Sequence, residues 1–187
     1  MNAKDKHQLA LDLWATGIRE ARLLATYIDD PKKVTKQQIE NQMKDIDYWD
    51  LGDKLATNII LKTKFVKYYV GKWRNVENYW YRRVAWILLA EYAYKDKNFD
   101  AKYLESFLKE IEDNIRKEEN WVQEAMLYAV MYIGGRTKEL NEKCIRLGKR
   151  ISDIDIDYGN TQCETPKIIL HMTKPHTQKR IETYYKN

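Results

Sequence analysis

Residues 120–135 read NWVQEAMLYAVMYIGG and carry the clearest helical period of the chain. The apolar side chains recur at intervals of three and four residues, which places them on one face of an α-helix. They are Val122, Ala125, Met126, Ala129, Val130 and Ile133. Gly134 and Gly135 end the run as a helix C-cap does. We therefore predict a helix over residues 120–134.

Similar periods elsewhere in the chain predict further helices. Gly17 is expected to bend or break the first of them, and Thr35 fits the N-cap of the second. The fourth is apolar nearly all round, as in a helix buried between neighbours. The predicted ranges are about 4–28, 35–47, 50–69, 76–94, 100–117 and 137–149. Residues 150–187 are expected to be irregular, with room for a short terminal helix.

Three tryptophans indicate how these helices are arranged. Trp49, Trp80 and Trp121 each open a strongly apolar run, and they lie 31 and 41 residues apart. These intervals are the length of a helix pair in HEAT-type repeats, although a chain with six Trp can also give them by chance. The predicted fold is all-α: a HEAT-like repeat solenoid of stacked antiparallel helix pairs with a concave basic face. Residues 1–150 form this repeat domain, and the tail, 151–187, packs on it or extends it.

Composition narrows the class of protein. Of the 187 residues, 44% are hydrophobic and 33% are charged, which argues against a disordered or a membrane protein. The two cysteines, Cys144 and Cys163, have no metal or redox spacing, so we expect a reducing, cytoplasmic location. We also expect a monomer that needs neither metal nor cofactor. The net charge of +5 suits a polyanionic partner.

A carboxylate and an indole lie side by side at the start of the third predicted helix. Trp49 and Asp53 are four residues apart, so they share one helix face. Placed at the mouth of a concave surface, the pair offers negative charge and an aromatic face to a cation. The plainer alternative is that Asp50 caps the helix and that Asp53 is solvated.

The fourth and sixth helices add aromatic and basic side chains. Trp80, Arg82 and Arg83 cluster at the opening of the fourth helix, and forked arginine donors suit phosphate. The alternative is a pair at the rim that packs on a neighbouring helix. Tyr128 shares a face with Trp121 outside the core stripe, and the alternative is a tyrosine at the core boundary. Further basic residues follow at Lys62, Lys64, Lys67, Lys72, Arg74, Arg136 and Lys138. Interleaved aromatic and basic residues favour contact with nucleic acid.

Taken together, these motifs resemble the HEAT-like-repeat DNA alkylation repair enzymes, the AlkD family of alkylpurine DNA glycosylases. The resemblance covers most of the chain. It rests on Leu13-Trp14, residues 17–22 (GIREAR), residues 49–53 (WDLGD), residues 80–83 (WYRR) and residues 121–125 (WVQEA). Residues 155–161 (DIDYGNT) and 163–166 (CETP) resemble the tail of a short subgroup. Family members usually carry further helices before the one that contains Trp14.

The resemblance implies excision of N3- or N7-alkylated purines from duplex DNA. Asp53 matches the catalytic carboxylate of the family, Trp49 its aromatic partner, and Arg83 its backbone-binding arginine. Two positions depart from the family pattern. Tyr128 replaces a second tryptophan of the cleft, and Met131 replaces a nearby arginine. These departures bear on which lesions are removed and on whether excision takes place at all.

One carboxylate can be enough for this reaction. Glycoside hydrolases typically use an acid to protonate the leaving group and a second carboxylate for the water or the sugar. An N3- or N7-alkylpurine already carries positive charge, so it leaves without protonation. A fixed negative charge then stabilises the oxocarbenium-like sugar, and each neighbouring aromatic face adds about 0.5–2 kcal/mol.

Two other functions also fit the pattern. A non-catalytic DNA-binding solenoid needs Arg83 and the lysines but not Asp53, and a protein-interaction scaffold needs neither. A calcium loop is a near match in the tail, with acidic residues at its first, third, fifth and twelfth positions: Asp153, Asp155, Asp157 and Glu164. Tyr158 stands where that loop requires glycine, so a capped turn is the expected structure.

Overall fold

The structure is a computed structural model that describes residues 3–184, with the side chains of residues 6–183. In that range the chain forms eleven α-helices and no β-strand. The helices are α1 (Ala3–Ala15), α2 (Arg19–Ile28), α3 (Lys36–Lys44), α4 (Trp49–Lys54), α5 (Val66–Trp73), α6 (Tyr79–Lys95), α7 (Ala101–Asn114), α8 (Asn120–Gly134), α9 (Lys138–Arg150), α10 (Ile168–Thr173) and α11 (Pro175–Tyr184). The prediction of an all-α protein is confirmed. None of these helices has the length and apolarity that a membrane span requires.

The predicted break at Gly17 is present. Gly17 has a φ of +72°, a left-handed conformation that favours glycine, and it separates α1 from α2. Thr35 caps α3 as predicted, because its side chain accepts a hydrogen bond from the amide of Gln38.

The prediction of one continuous helix over residues 50–69 is wrong. After α4 the chain forms a π-helical turn, Leu55–Ile59, and a 3₁₀ turn, Ile60–Lys62, before α5 begins. The Thr57 hydroxyl donates to the Asp53 carbonyl at 2.8 Å, and a regular helix gives that acceptor to the amide of residue 57. The Thr63 hydroxyl donates to the Ile60 carbonyl and accepts from the Phe65 amide. These side chains compete locally with the helical hydrogen bonds.

The chain divides into two compact units, Met1–Leu88 and Leu89–Asn187, and the division falls within α6. In the first unit, polar contacts between helices recur at sequence separations of 30 to 33 residues. Arg19 pairs with Asp50, and Asn58 donates to Thr26, so α2 runs parallel to the segment that begins with α4. This recurrence matches the interval of 31 residues between Trp49 and Trp80.

A second row of parallel helices completes the first unit. The Tyr69 hydroxyl donates to the Lys36 carbonyl at 3.2 Å, and Lys72 pairs with Glu40 at 2.6 Å. These contacts place the start of α5 beside the start of α3, and the following turns of the two helices beside each other. The short connection between α3 and α4 makes consecutive helices antiparallel.

In the second unit, the apolar stripe predicted for residues 120–134 forms the core. Ala125, Ala129 and Val130 are fully buried, as are Val122 and Ile133. The tail after residue 150 belongs to this unit, and residues 153–158 lie along the start of α8 and the 3₁₀ turn before it, Ile115–Lys117. Asn120 exchanges two hydrogen bonds with the backbone of Asp157, at 2.7 and 2.8 Å. The tail then forms α10 and α11, more helix than the sequence pattern predicts.

Candidate functional site

The segment from Trp49 to Asp53 forms most of α4. Tyr48 precedes the helix in an extended conformation, and the side chains of Trp49 and Asp53 are half-buried. Gly52 allows close packing here, because a Cβ at this position would lie 3.1 Å from a methyl group of Val84 on α6. The π-helical turn follows directly. Such turns occur frequently at functional sites.

Asp53 is held by a bidentate ion pair with Arg83 on α6. The Arg83 Nε–Asp53 Oδ1 and Nη2–Oδ2 distances are 2.9 and 2.8 Å. The arginine side chain is 1% exposed and the aspartate side chain 19%. The guanidinium carbon also lies 5.5 Å from the centre of the Trp49 ring. The structure therefore brings Trp49, Asp53 and Arg83 together, with a fixed orientation for the carboxylate.

This geometry corrects the sequence-based roles of two charged residues. A phosphate contact by Arg83 does not fit, because the side chain is buried and its forked donors face Asp53. The alternative of a solvated Asp53 is also wrong. Spacing along one helix could not reveal the ion pair, since its partners lie 30 residues apart.

Asp50 occupies a matched environment on the same helix. It does not provide the N-cap, which is Tyr48, but lies in the first turn and pairs with Arg19. The Asp50 side chain is 20% exposed, close to the value for Asp53, whereas its arginine partner is 45% exposed. Asp50 and Asp53 thus each pair with an arginine. The partner of Asp50, Arg19, is exposed, whereas the partner of Asp53, Arg83, is buried.

Trp80 and Arg82 lie at the start of α6. Asn78 accepts a hydrogen bond from the Trp80 amide at 2.9 Å, and the Trp80 ring lies 4.4 Å from that of Tyr79. Arg82 donates to the carbonyl of Val76 at 2.7 Å and to that of Glu77. Arg82 therefore stabilises the loop before α6. These two hydrogen bonds use one of the nitrogens of its guanidinium group, Nη1.

Tyr128 lies in the second unit, half-buried on α8. Its ring centre is 6.3 Å from that of Tyr132, and Met131 beside it is buried. Trp121 packs against Tyr158 of the tail with ring centres 5.9 Å apart. Arg136, expected on a basic face, is fully buried and donates to the backbone carbonyls of residues 94 and 96.

Sequence reasoning missed a buried carboxylate on α8. Glu124 is 5% exposed and accepts a hydrogen bond from the Tyr158 hydroxyl at 2.6 Å. Burial, together with this hydrogen bond, raises the pKa of Tyr158 well above its ordinary value. Helical spacing gave no signal, because Glu124 lies on the face of α8 opposite the predicted apolar stripe, where a glutamate is expected to be solvated. In the tail, Asp153 pairs with Arg116 and Asp155 accepts from Thr165, so these carboxylates serve as separate structural contacts.

The sequence itself identifies the family. Residues 1–146 match the family described as DNA alkylation repair enzyme. The chain belongs to this family. Over 169 residues this member of the DNA alkylation repair family is 22% identical to the uncharacterized protein Lin0241 of Listeria innocua serovar 6a. That match covers 90% of this chain and 73% of the relative.

A solved structure confirms the fold. It is described as a new family of proteins related to the HEAT-like repeat DNA glycosylases with affinity for branched DNA structures. The TM-score is 0.83 at 18% sequence identity, and the match covers 96% of this chain and 78% of the other. At this identity the similarity establishes the fold, so the prediction of a HEAT-like repeat protein is confirmed.

Proposed function

We propose that this member of the DNA alkylation repair family is a glycosylase that excises N3- or N7-alkylated purines from duplex DNA. The observation that carries the proposal is the fixed orientation of the Asp53 carboxylate beside Trp49. An alkylated purine leaves as a neutral base, while positive charge develops on the deoxyribose. A carboxylate that is already oriented stabilises this charge without reorganising during the reaction.

Arg83 acts in this proposal as a positioning residue. It occupies two of the acceptor positions of a carboxylate that offers about four. It thereby fixes the orientation of the Asp53 carboxylate, while its own guanidinium lies over the Trp49 ring. Tyr128, Trp80 and Arg82 stay candidates for contact with DNA. The net charge of +5 favours binding of the polyanion.

A second candidate function is binding of DNA without excision. The Arg83 pair supports it, because a guanidinium beside Asp53 offsets part of the negative charge that the reaction needs. The affinity for branched DNA of the structurally similar family supports it as well. In this case Asp53 and Arg83 serve only to hold α4 against α6.

The two functions differ in the effect of removing the Asp53 charge. Asp53→Asn should lower the single-turnover release of N7-methylguanine by about 10²-fold, the usual cost of losing one preorganised electrostatic group. DNA affinity should stay the same or rise slightly, because the variant loses one negative charge and therefore repels the polyanion less. Asp50→Asn is the matched control, since this carboxylate also lies on α4, has an arginine partner and is equally exposed.

Each variant should be checked for folding by circular dichroism and for DNA affinity in the same samples. We expect Asp50→Asn to retain most of the excision rate. If the wild-type protein binds DNA but releases no alkylpurine, the protein is a binding module. If Asp50→Asn is the inactive variant, the assignment of Asp53 is wrong.

A further inference from the structure

Three lysines gather around two aromatic rings on the first unit. Lys36 Nζ lies 3.5 Å from the ring centre of Tyr68 and 5.5 Å from that of Phe65. Lys64 lies 5.8 Å from the Phe65 ring, and Lys72 lies 5.8 Å from the Tyr68 ring. We call these five residues the lysine–aromatic cluster. All three lysines are exposed, and Tyr68 is 45% exposed.

The cluster is poor in negative charge. Among the described residues, Lys36 and Lys64 have no carboxylate within ion-pair distance, and their cationic groups contact the rings instead. Lys72 alone is paired, with Glu40 at 2.6 Å. Residues 54–76 contain six Lys and Arg and no Asp or Glu. Like charges held close together repel one another, and an anion bound among them removes that repulsion.

The cluster is separate from the Asp53 site. Lys36 opens α3, Lys64 and Phe65 directly precede α5, and Tyr68 and Lys72 lie on α5. Asp53 lies on α4 and Arg83 near the start of α6, so the two sites share no residue and no helix. A DNA backbone at the cluster is therefore a contact additional to any contact at Asp53.

We propose that the lysine–aromatic cluster is a second DNA-contact surface, which binds the sugar–phosphate backbone. The chemistry of the cluster fits this partner, because ammonium groups pair with phosphates while an exposed tyrosine ring packs against a sugar or a base. Lys36 and Lys64 are held by aromatic rings, so they are positioned without being neutralised. The inference rests on the proposed function only in taking DNA as the partner.

A charge-matched pair of variants tests the proposal. The cluster variant is Lys36→Gln/Lys64→Gln/Lys72→Gln. The control is Lys97→Gln/Lys102→Gln/Lys174→Gln, which removes three exposed lysines of the second unit. Both variants lower the net charge equally, so any general loss of electrostatic attraction is the same. The measurement is the fluorescence anisotropy of a labelled unmodified duplex of about 30 base pairs, titrated between about 50 and 200 mM salt.

We expect the cluster variant to bind about 10-fold or more weakly at the middle of this salt range. The slope of log K against log salt should become less negative by roughly two to three units, since each lost phosphate contact contributes about 0.9. The control should lose no more than about threefold and should keep its slope. Equal losses in the two variants would overturn the inference while leaving the proposed function intact. Absence of DNA binding by the wild-type protein would overturn both.

Discussion

At the scale of single residues, Arg83 is the most informative position of the chain. Its sequence context suggests a surface arginine at a helix start, but its side chain is 1% exposed and its donors face Asp53. A buried guanidinium requires a partner, and the carboxylate it orients is the one that the family resemblance marks as catalytic. The proposed catalytic carboxylate and the buried arginine that orients it therefore form one ion pair.

Replacement of Arg83 should destabilise the fold. Arg83→Met keeps most of the side-chain volume but removes the charge that compensates Asp53, so we expect a loss of about 3 kcal/mol in the free energy of unfolding. Arg19→Met breaks the exposed pair with Asp50 and should cost less than about 1 kcal/mol. Urea denaturation of both variants measures the difference. If Arg83→Met unfolds like the wild type and instead binds DNA more weakly, the arginine contacts phosphate after all.

Sequence pattern pointed to Trp49, Asp53 and Arg83 separately, but not to their arrangement. The four-residue spacing placed Trp49 and Asp53 on one helix face, and both lie there. The contact with Arg83 depends on how α4 packs against α6, where Gly52 meets Val84. The close packing of these two helices depends on tertiary structure, which local sequence does not determine. A surface role and a buried role for Arg83 are equally compatible with local sequence.

At the scale of helices, sequence pattern was reliable where one strong signal was present. Gly17 ended the first helix, and the stripe of residues 122–133 formed the core of α8. It failed where side chains competed with the backbone. Thr57 and Thr63 make hydrogen bonds that divide residues 50–69 into four pieces, and neither residue is a strong helix breaker.

Glycine at the end of α8 controls how the helices of the second unit pack. A Cβ added to Gly134 would lie 2.8 Å from the Cβ of Cys144 on α9 and would meet the sulfur of Met172 on α10. Gly134→Ala should therefore lower the free energy of unfolding by about 1–3 kcal/mol. Gly71→Ala is the control, because Gly71 is exposed on α5 and its nearest neighbour would be 4.0 Å away.

Gly71→Ala should leave the free energy of unfolding unchanged or raise it by about 0.5–1 kcal/mol, since alanine is more favourable than glycine in a helix interior. Thermal and urea unfolding of the two variants give the comparison. If Gly134→Ala is as stable as the wild type, α9 and α10 can move away from α8 at little cost in free energy.

At the scale of the whole molecule, charge is distributed unevenly. Residues 1–88 contain 16 Lys and Arg against 11 Asp and Glu, while residues 89–187 contain 17 of each. The first unit thus carries the entire net charge of +5. It also contains both Asp53 and the lysine–aromatic cluster. Several acidic residues of the second unit pair with its own basic residues, as in the contacts of Arg150 with Glu112 and of Arg116 with Asp153.

This asymmetry predicts which lysines DNA protects. Phosphates should gather at the unit with net positive charge, because the free energy of binding comes chiefly from the release of counterions there. Acetylation of lysines, quantified by mass spectrometry with and without duplex DNA, should show strong protection at Lys36, Lys64 and Lys72. Exposed Lys97 and Lys102 of the second unit should react equally in both conditions. High salt, about 1 M, should abolish the protection, because it screens exposed charges over about 3 Å. Equal protection of both units would mean that local geometry, rather than net charge, decides where DNA binds.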